Sequence, residues 1–297
     1  MDTLNSMRVY VAVVESGSLV GAAEGLNTSS AAVSRHLAAL EAHLGARLLN
    51  RTTRRLSMTD AGQDFFARAN QILADVAEAE ALAGESAVRP AGLLRISAPL
   101  SFGILRMSKW LPGFIARYPD LKLDVDLTDR VVDLANDGID IAVRIARQPA
   151  TTNVIARRIA PIPVIACAAP VYLDRRGRPQ LPDDLVAHDT LSFSYLSTGD
   201  NWTFRDAAGG ETTIRIRPQV HATNGDILSE LAVRGLGVIY QPNFIVEHHI
   251  ASGALEQVLT GWTTGGLNLY ALYLSRKFLS AKVRVFMDYL NEVEGAG

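Results

Sequence analysis

Residues 26–62 read LNTSSAAVSRHLAALEAHLGARLLNRTTRRLSMTDAG. Ser29 is a side-chain cap for a helix whose Val33, Leu37, Leu40 and Leu44 recur at spacings of four, three and four, the apolar stripe of an amphipathic helix. Gly45 stands where a left-handed residue closes such a helix. Upstream, Met7, Tyr10, Val11 and Val14 form a shorter stripe that stops at Ser16-Gly17, and Ser18 caps a second helix with Ala22, Ala23 and Leu26 inward. Downstream, Leu48, Leu56 and Met58 alternate with polar residues on either side of Thr52-Thr53, which reads as a small hairpin with Arg51, Arg54 and Arg55 near its tip. Three short helices followed by a basic hairpin form a winged helix-turn-helix.

The face of the third helix opposite its leucines carries Ser30, Ala31, Ser34 and Arg35, with no large acid in that half. Small polar residues and one arginine suit a DNA major groove, where the guanidinium reaches guanine acceptors and hydroxyls contact bases or phosphates. An arginine-bearing wing suits a minor groove. The candidate DNA-contacting residues are therefore Ser29, Ser30, Ala31, Ser34 and Arg35 on the helix and Arg51, Thr52, Thr53, Arg54 and Arg55 on the wing. The charge distribution agrees: residues 33–58 sum to +4 and residues 60–87 to −5, a basic module beside an acidic segment.

Thr59 caps a long helix with Asp60 in its first turn, where the helix dipole favours an anion. Phe65, Ala69, Ile72, Val76, Ala79 and Ala83 follow at four, three, four, three and four. This heptad seam needs a partner, and the simplest is the same helix of a second copy. The seam predicts a homodimer or homotetramer.

The pattern Ala32-Val33-Ser34-Arg35, Leu37, Leu40-Glu41, Leu44-Gly45, Leu48-Leu49 and Arg51, leading into Arg55, Met58-Thr59 and Ala61-Gly62, resembles the DNA-binding domain of LysR-type transcriptional regulators. The first helix, the linker helix and the C-terminal two-thirds resemble that family too. Ser30 departs from it, since Gln or Pro often follows the capping serine there. Gln reads adenine with two hydrogen bonds and Ser does not. The resemblance implies a periplasmic-binding-protein-like effector domain, control by a small effector, and RNA polymerase as a further candidate partner.

The chain beyond Pro90-Gly92 reads as α/β. LLRISAP is a buried strand, residues 101–119 a helix, LKLDVDLTD an alternating strand, RVVDLANDG a helix and IDIAVRIA a strand. That order predicts a parallel sheet with helices on both faces. A second set begins near Val164 and ends near Leu267, with the hairpin around DAAGGE, the helix GDILSELAVRG and the strand VIYQP inside it. LNLYALYLS and a terminal helix marked by Val283, Phe286, Leu290 and Val293 return to the first lobe. The expected fold is α + α/β: winged helix-turn-helix at 1–59, linker (dimerisation) helix at 60–88, lobe I at 89–162 plus 268–297, and lobe II at 163–267. Ligands of such folds bind at the carboxyl ends of the strands, between lobes. Strand ends and helix starts give the candidate effector-binding residues Ser101, Phe102, Arg144, Tyr195, Trp202, Asn224, Gly225, Asp226, Tyr240, Gln241 and Pro242. Hydroxyls, amides and Arg144 favour a small organic anion.

Composition narrows the alternatives. The chain has 297 residues, is 48% hydrophobic and 20% charged, and carries a net charge of −2, which excludes a wholly basic coat protein and an acidic disordered chain. No leader or membrane span is read at its start or within it. The single Cys167 excludes an intrachain disulfide and zinc held by cysteine pairs. A cytoplasmic, reduced protein is expected, without cofactor or metal. Enzyme signatures are missing: no phosphate loop, no GxSxG elbow, no HExxH. A free solute-binding protein is disfavoured by the DNA-reading module.

Overall fold

The computed structural model describes residues 2–52, 55–83, 90–149, 154–274 and 279–295. The chain divides into two compact units, Met1–Arg89 and Pro90–Gly297. In the first, α1 (Thr3–Ser16), α2 (Leu19–Gly25) and α3 (Ser30–Leu44) precede a hairpin of β1 (Leu49–Thr52) and β2 (Arg55–Met58), and α4 (Asp60–Ala83) follows. Asp2, Ser18 and Ser29 cap the first three helices, each accepting a hydrogen bond from a backbone N–H of the first turn. Asn27 takes the left-handed conformation in the turn before α3, which Asn tolerates better than most residues.

The core of this unit is Val9, Tyr10, Val13, Ala22, Ala23, Val33, Leu37, Leu40, Leu48 and Leu49. The fourth leucine of the stripe, Leu44, lies at the helix end and is exposed. His36 ties α3 to α1 through Ser6 Oγ and Asn5 Nδ2. Glu41 Oε1 accepts from the backbone N–H groups of Leu48 and Leu49 at 2.9 and 3.2 Å, so the carboxylate fixes where the wing begins. The start of α4 closes over the same spot. Thr59 Oγ1 donates to the Arg47 carbonyl and accepts from Gly62 N, and the Tyr10 hydroxyl donates to the Gly62 carbonyl at 2.9 Å. Burial, helped by the Glu41 charge, pushes the Tyr10 phenol up to about 12.

The second unit holds two five-stranded sheets. Lobe I contains β3 (Gly92–Ala98), β4 (Leu121–Leu127), β5 (Ile141–Ala146), β6 (Val154–Ile162) and β15 (Leu267–Leu274), in the order β4-β3-β5-β15-β6. Between β3 and β4 a helical stretch runs from α5 (Leu100–Phe102) through a π-helical turn (Gly103–Met107) into α6 (Ser108–Arg117). Lobe II contains β7 (Val164–Ala168), α7 (Pro170–Arg176), β8 (Thr190–Phe193), β11 (Pro218–Ala222), α8 (Gly225–Val233), β12 (Val238–Pro242), α9 (Asn243–Ala251) and β13 (Glu256–Val258), with strand order β11-β8-β12-β7-β13. A small antiparallel sheet of β10 (Glu211–Arg215), β9 (Asn201–Arg205) and β14 (Thr263–Thr264) covers lobe II. The chain enters lobe II through Pro163 and returns between Thr264 and Leu267, and α10 (Ala281–Glu294) packs on lobe I.

Three sequence expectations change here. The sheets are mixed rather than parallel: β15 runs antiparallel to β5 and β6, and β7 antiparallel to β12 and β13. The strand β6 was not foreseen. Its VIARRIAPI lacks clean alternation, and Pro161 is tolerated because β6 is an edge strand. Residues 130–138 form no helix. Asp133 accepts from the backbone N–H groups of Ala135 and Asn136, and Asp137 accepts from Asp133 N. These local bonds compete with helical ones, and Val131 is 98% exposed.

Gly62 marks the tightest packing of the first unit, since a Cβ there would collide with the Leu48 carbonyl oxygen. Gly62→Ala is expected to lower stability by about 1–3 kcal/mol through overpacking. Chemical denaturation of the full chain measures this, and unchanged stability would contradict the assigned contact.

Candidate functional site

The first candidate surface is the N-terminal half of α3. Ser29, Ser30, Ala31 and Arg35 are exposed and Ser34 is half-buried, while Val33 and Leu37 point into the core. No hydrogen bond or ion pair engages Arg35 among the described residues, so its guanidinium is free to meet a ligand. Arg51, Thr52 and Arg55 lie on the hairpin strands, with Arg51 opposite Leu56 and Thr52 opposite Arg55. Thr53 and Arg54 lie outside the described residues.

The heptad seam of α4 divides into two parts. Phe65 and the neighbouring Phe66 pack against Tyr10 at centroid distances of 5.6 and 6.4 Å, and Ala69 is fully buried. This N-terminal part of the seam therefore serves the unit's own core. Ile72 is the first seam residue left exposed, at 40%, and Val76 is half-buried. Ala79 and Ala83 follow on the last turns of the helix.

The second candidate site is a cavity of about 500 Å³ walled by both lobes. Of the residues expected there, Ser101, Phe102, Arg144, Tyr195, Gly225, Tyr240, Gln241 and Pro242 line it. Asn224 and Asp226 stand just behind the wall. Asn224 caps α8, and its Nδ2 donates to Asp226. Trp202 does not reach the cavity. It is buried in the lobe II core and stacks on Tyr240 at 5.1 Å, so Tyr240 forms the wall and Trp202 backs it. The sequence reading missed the loop residues Asp129–Val132 and Leu196–Thr198, which also contribute. They sit outside the strand ends on which that reading relied.

Arg144 is the polar centre of lobe I's wall. Its Nη1 donates to the Val143 carbonyl at 2.7 Å, and its Nη2 donates to Ser97 Oγ at 2.8 Å and the Arg130 carbonyl at 3.3 Å. No carboxylate lies in ion-pair contact with it among the described residues. Burial pulls its pKa down against the opposing charges of Asp129 and Asp126, yet a guanidinium stays protonated. Three of its five N–H donors are thereby used. The Ser101 hydroxyl was expected to hold an anion. It instead donates to Asp226 Oδ2 across the lobes at 2.8 Å, so that corner is acidic and the anion-seeking group is Arg144. Nearby, Phe102 of lobe I meets Phe244 of lobe II edge-on at 6.1 Å.

Cys167 is buried on β7, and burial pushes its thiol up to about 12, which suppresses thiolate chemistry. No cluster of three or more His, Cys, Asp or Glu is placed to hold a metal among the described residues. No helix among them is long and apolar enough to cross a membrane.

Residues 4–63 match the profile of the bacterial regulatory helix-turn-helix protein, lysR family, and residues 87–295 match the LysR substrate binding domain. The chain belongs to the LysR family. It is 34% identical over 290 residues to the HTH-type transcriptional regulator CrgA of Neisseria meningitidis serogroup C (strain 8013), covering 97% of this chain and 96% of that one. A transcriptional regulator of Xanthomonas campestris pv. campestris is 33% identical over 290 residues, covering 97% and 84%. The full-length structure of AphB, the Vibrio cholerae virulence activator, superposes with a TM-score of 0.61 at 26% identity, covering 98% of this chain and 99% of that one. LysR-type regulators are DNA-binding transcriptional regulators with a substrate-binding effector domain, not enzymes, and this chain is one of them.

Asp129 provides a pH test of the cavity. Burial raises its pKa, with the Asp226 charge adding to the rise and Arg144 and the Leu100 N–H opposing it. The folded protein therefore binds the Asp129 proton more tightly than the unfolded chain, and stability drawn from this group is lost as pH rises through the raised value. Asp129→Asn is expected to stabilise the protein at neutral pH, and the gain should shrink as pH falls through the raised Asp129 pKa. Thermal melts of parent and variant across that range decide it.

Proposed function

We propose that this LysR-type regulator reads operator DNA with Ser29, Ser30, Ala31, Ser34 and Arg35 in a major groove and with Arg51, Thr52, Thr53, Arg54 and Arg55 of the wing on phosphate or in a minor groove. A small organic molecule bearing an anionic group, held at Arg144 in the cavity between the lobes, controls it. The observation that carries the effector reading is a half-buried guanidinium, without a carboxylate partner among the described residues, on the wall of a largely apolar cavity. The protein acts in the cytoplasm as a dimer or tetramer through the stretch of α4 from Ile72 to Ala83, and RNA polymerase is a further partner. Effector binding changes the preferred spacing of two DNA-reading heads, which must meet half-sites about 34–36 Å apart or a multiple of that.

Gel shifts on the DNA upstream of the chain's own gene, with and without small carboxylic acids, test the reading as a whole. Arg35→Ala is expected to cost roughly 1–3 kcal/mol of operator binding and to relax sequence choice. Arg51→Ala should instead reduce the salt dependence. Parent-like binding by both variants at moderate salt would remove the assigned DNA face.

Ile72→Asp puts a charge on the exposed part of the seam, where a partner helix would bury it. Light scattering at micromolar concentration should show the oligomer dissociating while the monomer stays folded. A parent that is already monomeric there would rule out α4 as the dimer contact.

A further inference from the structure

A second arginine of the cavity wall is less committed than Arg144. Arg147 stands one residue past the end of β5 and lines the cavity. It is exposed, and no hydrogen bond or ion pair engages its side chain among the described residues. Its guanidinium nevertheless has a definite seat. A Cβ on Gly265 would stand 2.5 Å from Arg147 Nη2 and 3.0 Å from its Cζ, so the glycine leaves room for the group to lie against the crossover that returns the chain from lobe II. Burial pushes the Tyr240 phenol up, and the Arg147 charge works against that rise. The guanidinium therefore reaches toward lobe II's wall while its backbone belongs to lobe I.

The cations of this cavity are not equivalent. Arg144 has given donors to Val143, Ser97 and Arg130, and the charges of Asp129 and Asp126 bear on it. Arg130 follows Asp129 directly in the same loop, so an anion there meets a like charge. Arg147 keeps all five N–H donors and has no carboxylate in ion-pair contact among the described residues. Between Arg144 and Arg147 the wall is Ile145 and Ala146, both lining the cavity. Three strand steps put the two Cα atoms about 10 Å apart. A monoacid on Arg144 leaves Arg147 unused. A second carboxylate beyond a hydrocarbon spacer would meet a free two-pronged donor, and such charge-assisted bonds are roughly twice as strong as neutral ones. Because Arg147 is exposed, that carboxylate keeps part of its hydration, which limits the cost of bringing it there.

We propose that Arg147 is a specificity-determining residue, and that the effector is a dicarboxylic acid with a hydrocarbon or aromatic spacer, one carboxylate on Arg144 and the other on Arg147. This rests on the reading of the cavity as the site of an anionic effector. It adds that the second negative charge, and not merely a polar far end, is recognised.

Calorimetry of the full-length protein against matched sets tests it, each set holding a diacid, its half-amide and a plain acid: glutarate, 4-carbamoylbutanoate and valerate; suberate, 7-carbamoylheptanoate and octanoate; isophthalate, 3-carbamoylbenzoate and 3-methylbenzoate. In at least one set the diacid should bind about tenfold tighter than both companions, the equivalent of about 1.4 kcal/mol. Arg147→Gln and Arg147→Ala should each reduce that preference to within about threefold while leaving the plain acid's affinity unchanged. The side chain is exposed and makes no intramolecular hydrogen bond among the described residues, so the melting temperature should hold in both. Arg144→Gln should weaken every member of a set. Three results would overturn the Arg147 assignment alone: plain acids that bind through Arg144 with no diacid preference in any set, a preference that survives both Arg147 variants, or an equal loss for plain acid and diacid in those variants. No binding by any carboxylate, or binding indifferent to Arg144→Gln, would overturn the anionic-effector reading and this assignment with it.

Discussion

Lobe I is complete only when β15 is inserted between β5 and β6. Residues 267–274 pair antiparallel with both, Leu269 facing Ile145 on one side and Ala160 on the other. These are the most distant pairings in the sheet, and their loop-closure entropy is offset only once the whole of lobe II has been accommodated between them. The consequence is geometric. Ile162, the last residue of β6, pairs with Leu267, the first of β15, so the two strands that carry the chain between lobes lie side by side. A two-lobed cavity follows from that register. The return is fastened by α10, whose Lys282 Nζ meets Asp140 Oδ2 and the Leu93 carbonyl at 2.7 Å each, while Asp140 also accepts from Arg95 N. Glu294 accepts from Arg106 and from the Trp110 indole at the other end of the helix. A buried ion pair gives little net stability but is costly to break, so these contacts specify where the last helix lies.

The N-terminal unit divides its motif residues into two kinds. Glu41, Leu48, Thr59 and Gly62 hold the wing and the start of α4 against α3 through side-chain-to-backbone hydrogen bonds and a contact that admits no side chain. Ser30, Ala31 and Arg35 leave the same helix on its other face, exposed. The scaffold residues let the outward ones be presented at a fixed angle, which is what the proposed reading of base edges requires.

Much of this was legible because α3, the wing and most strands of both lobes, β6 excepted, follow strong local periodicities. The apolar spacing of Val131, Val132 and Leu134 also looked helical, yet Asp133 and Asp137 bond to nearby backbone and Val131 turns outward. Trp202 was legible as aromatic and near a strand, but its place behind Tyr240 depends on how the small sheet of β9, β10 and β14 covers lobe II. The seam of α4 looked uniform in sequence, whereas Tyr10 claims Phe65 for the core. In each case a contact distant in sequence decided what local pattern could not. Hydrogen-bond accounting is further still from the sequence. Nothing in IAVRIARQ distinguishes the arginine whose donors are mostly spent, Arg144, from the one whose donors are not, Arg147.

That accounting also sets the scale on which an effector must act. The lobes touch each other through the Ser101–Asp226 hydrogen bond and the Phe102–Phe244 ring pair. One such hydrogen bond contributes about 0.5–1.5 kcal/mol net and one aromatic pair about 0.5–1.5 kcal/mol beyond its area. A ligand moves the lobes only by its difference in affinity between their arrangements. A ligand that touched Arg144 alone would bind lobe I in any arrangement and shift nothing. One that engages groups of both lobes at once is sensitive to their separation, and contacts this modest can be outweighed by one or two well-made hydrogen bonds across the cavity.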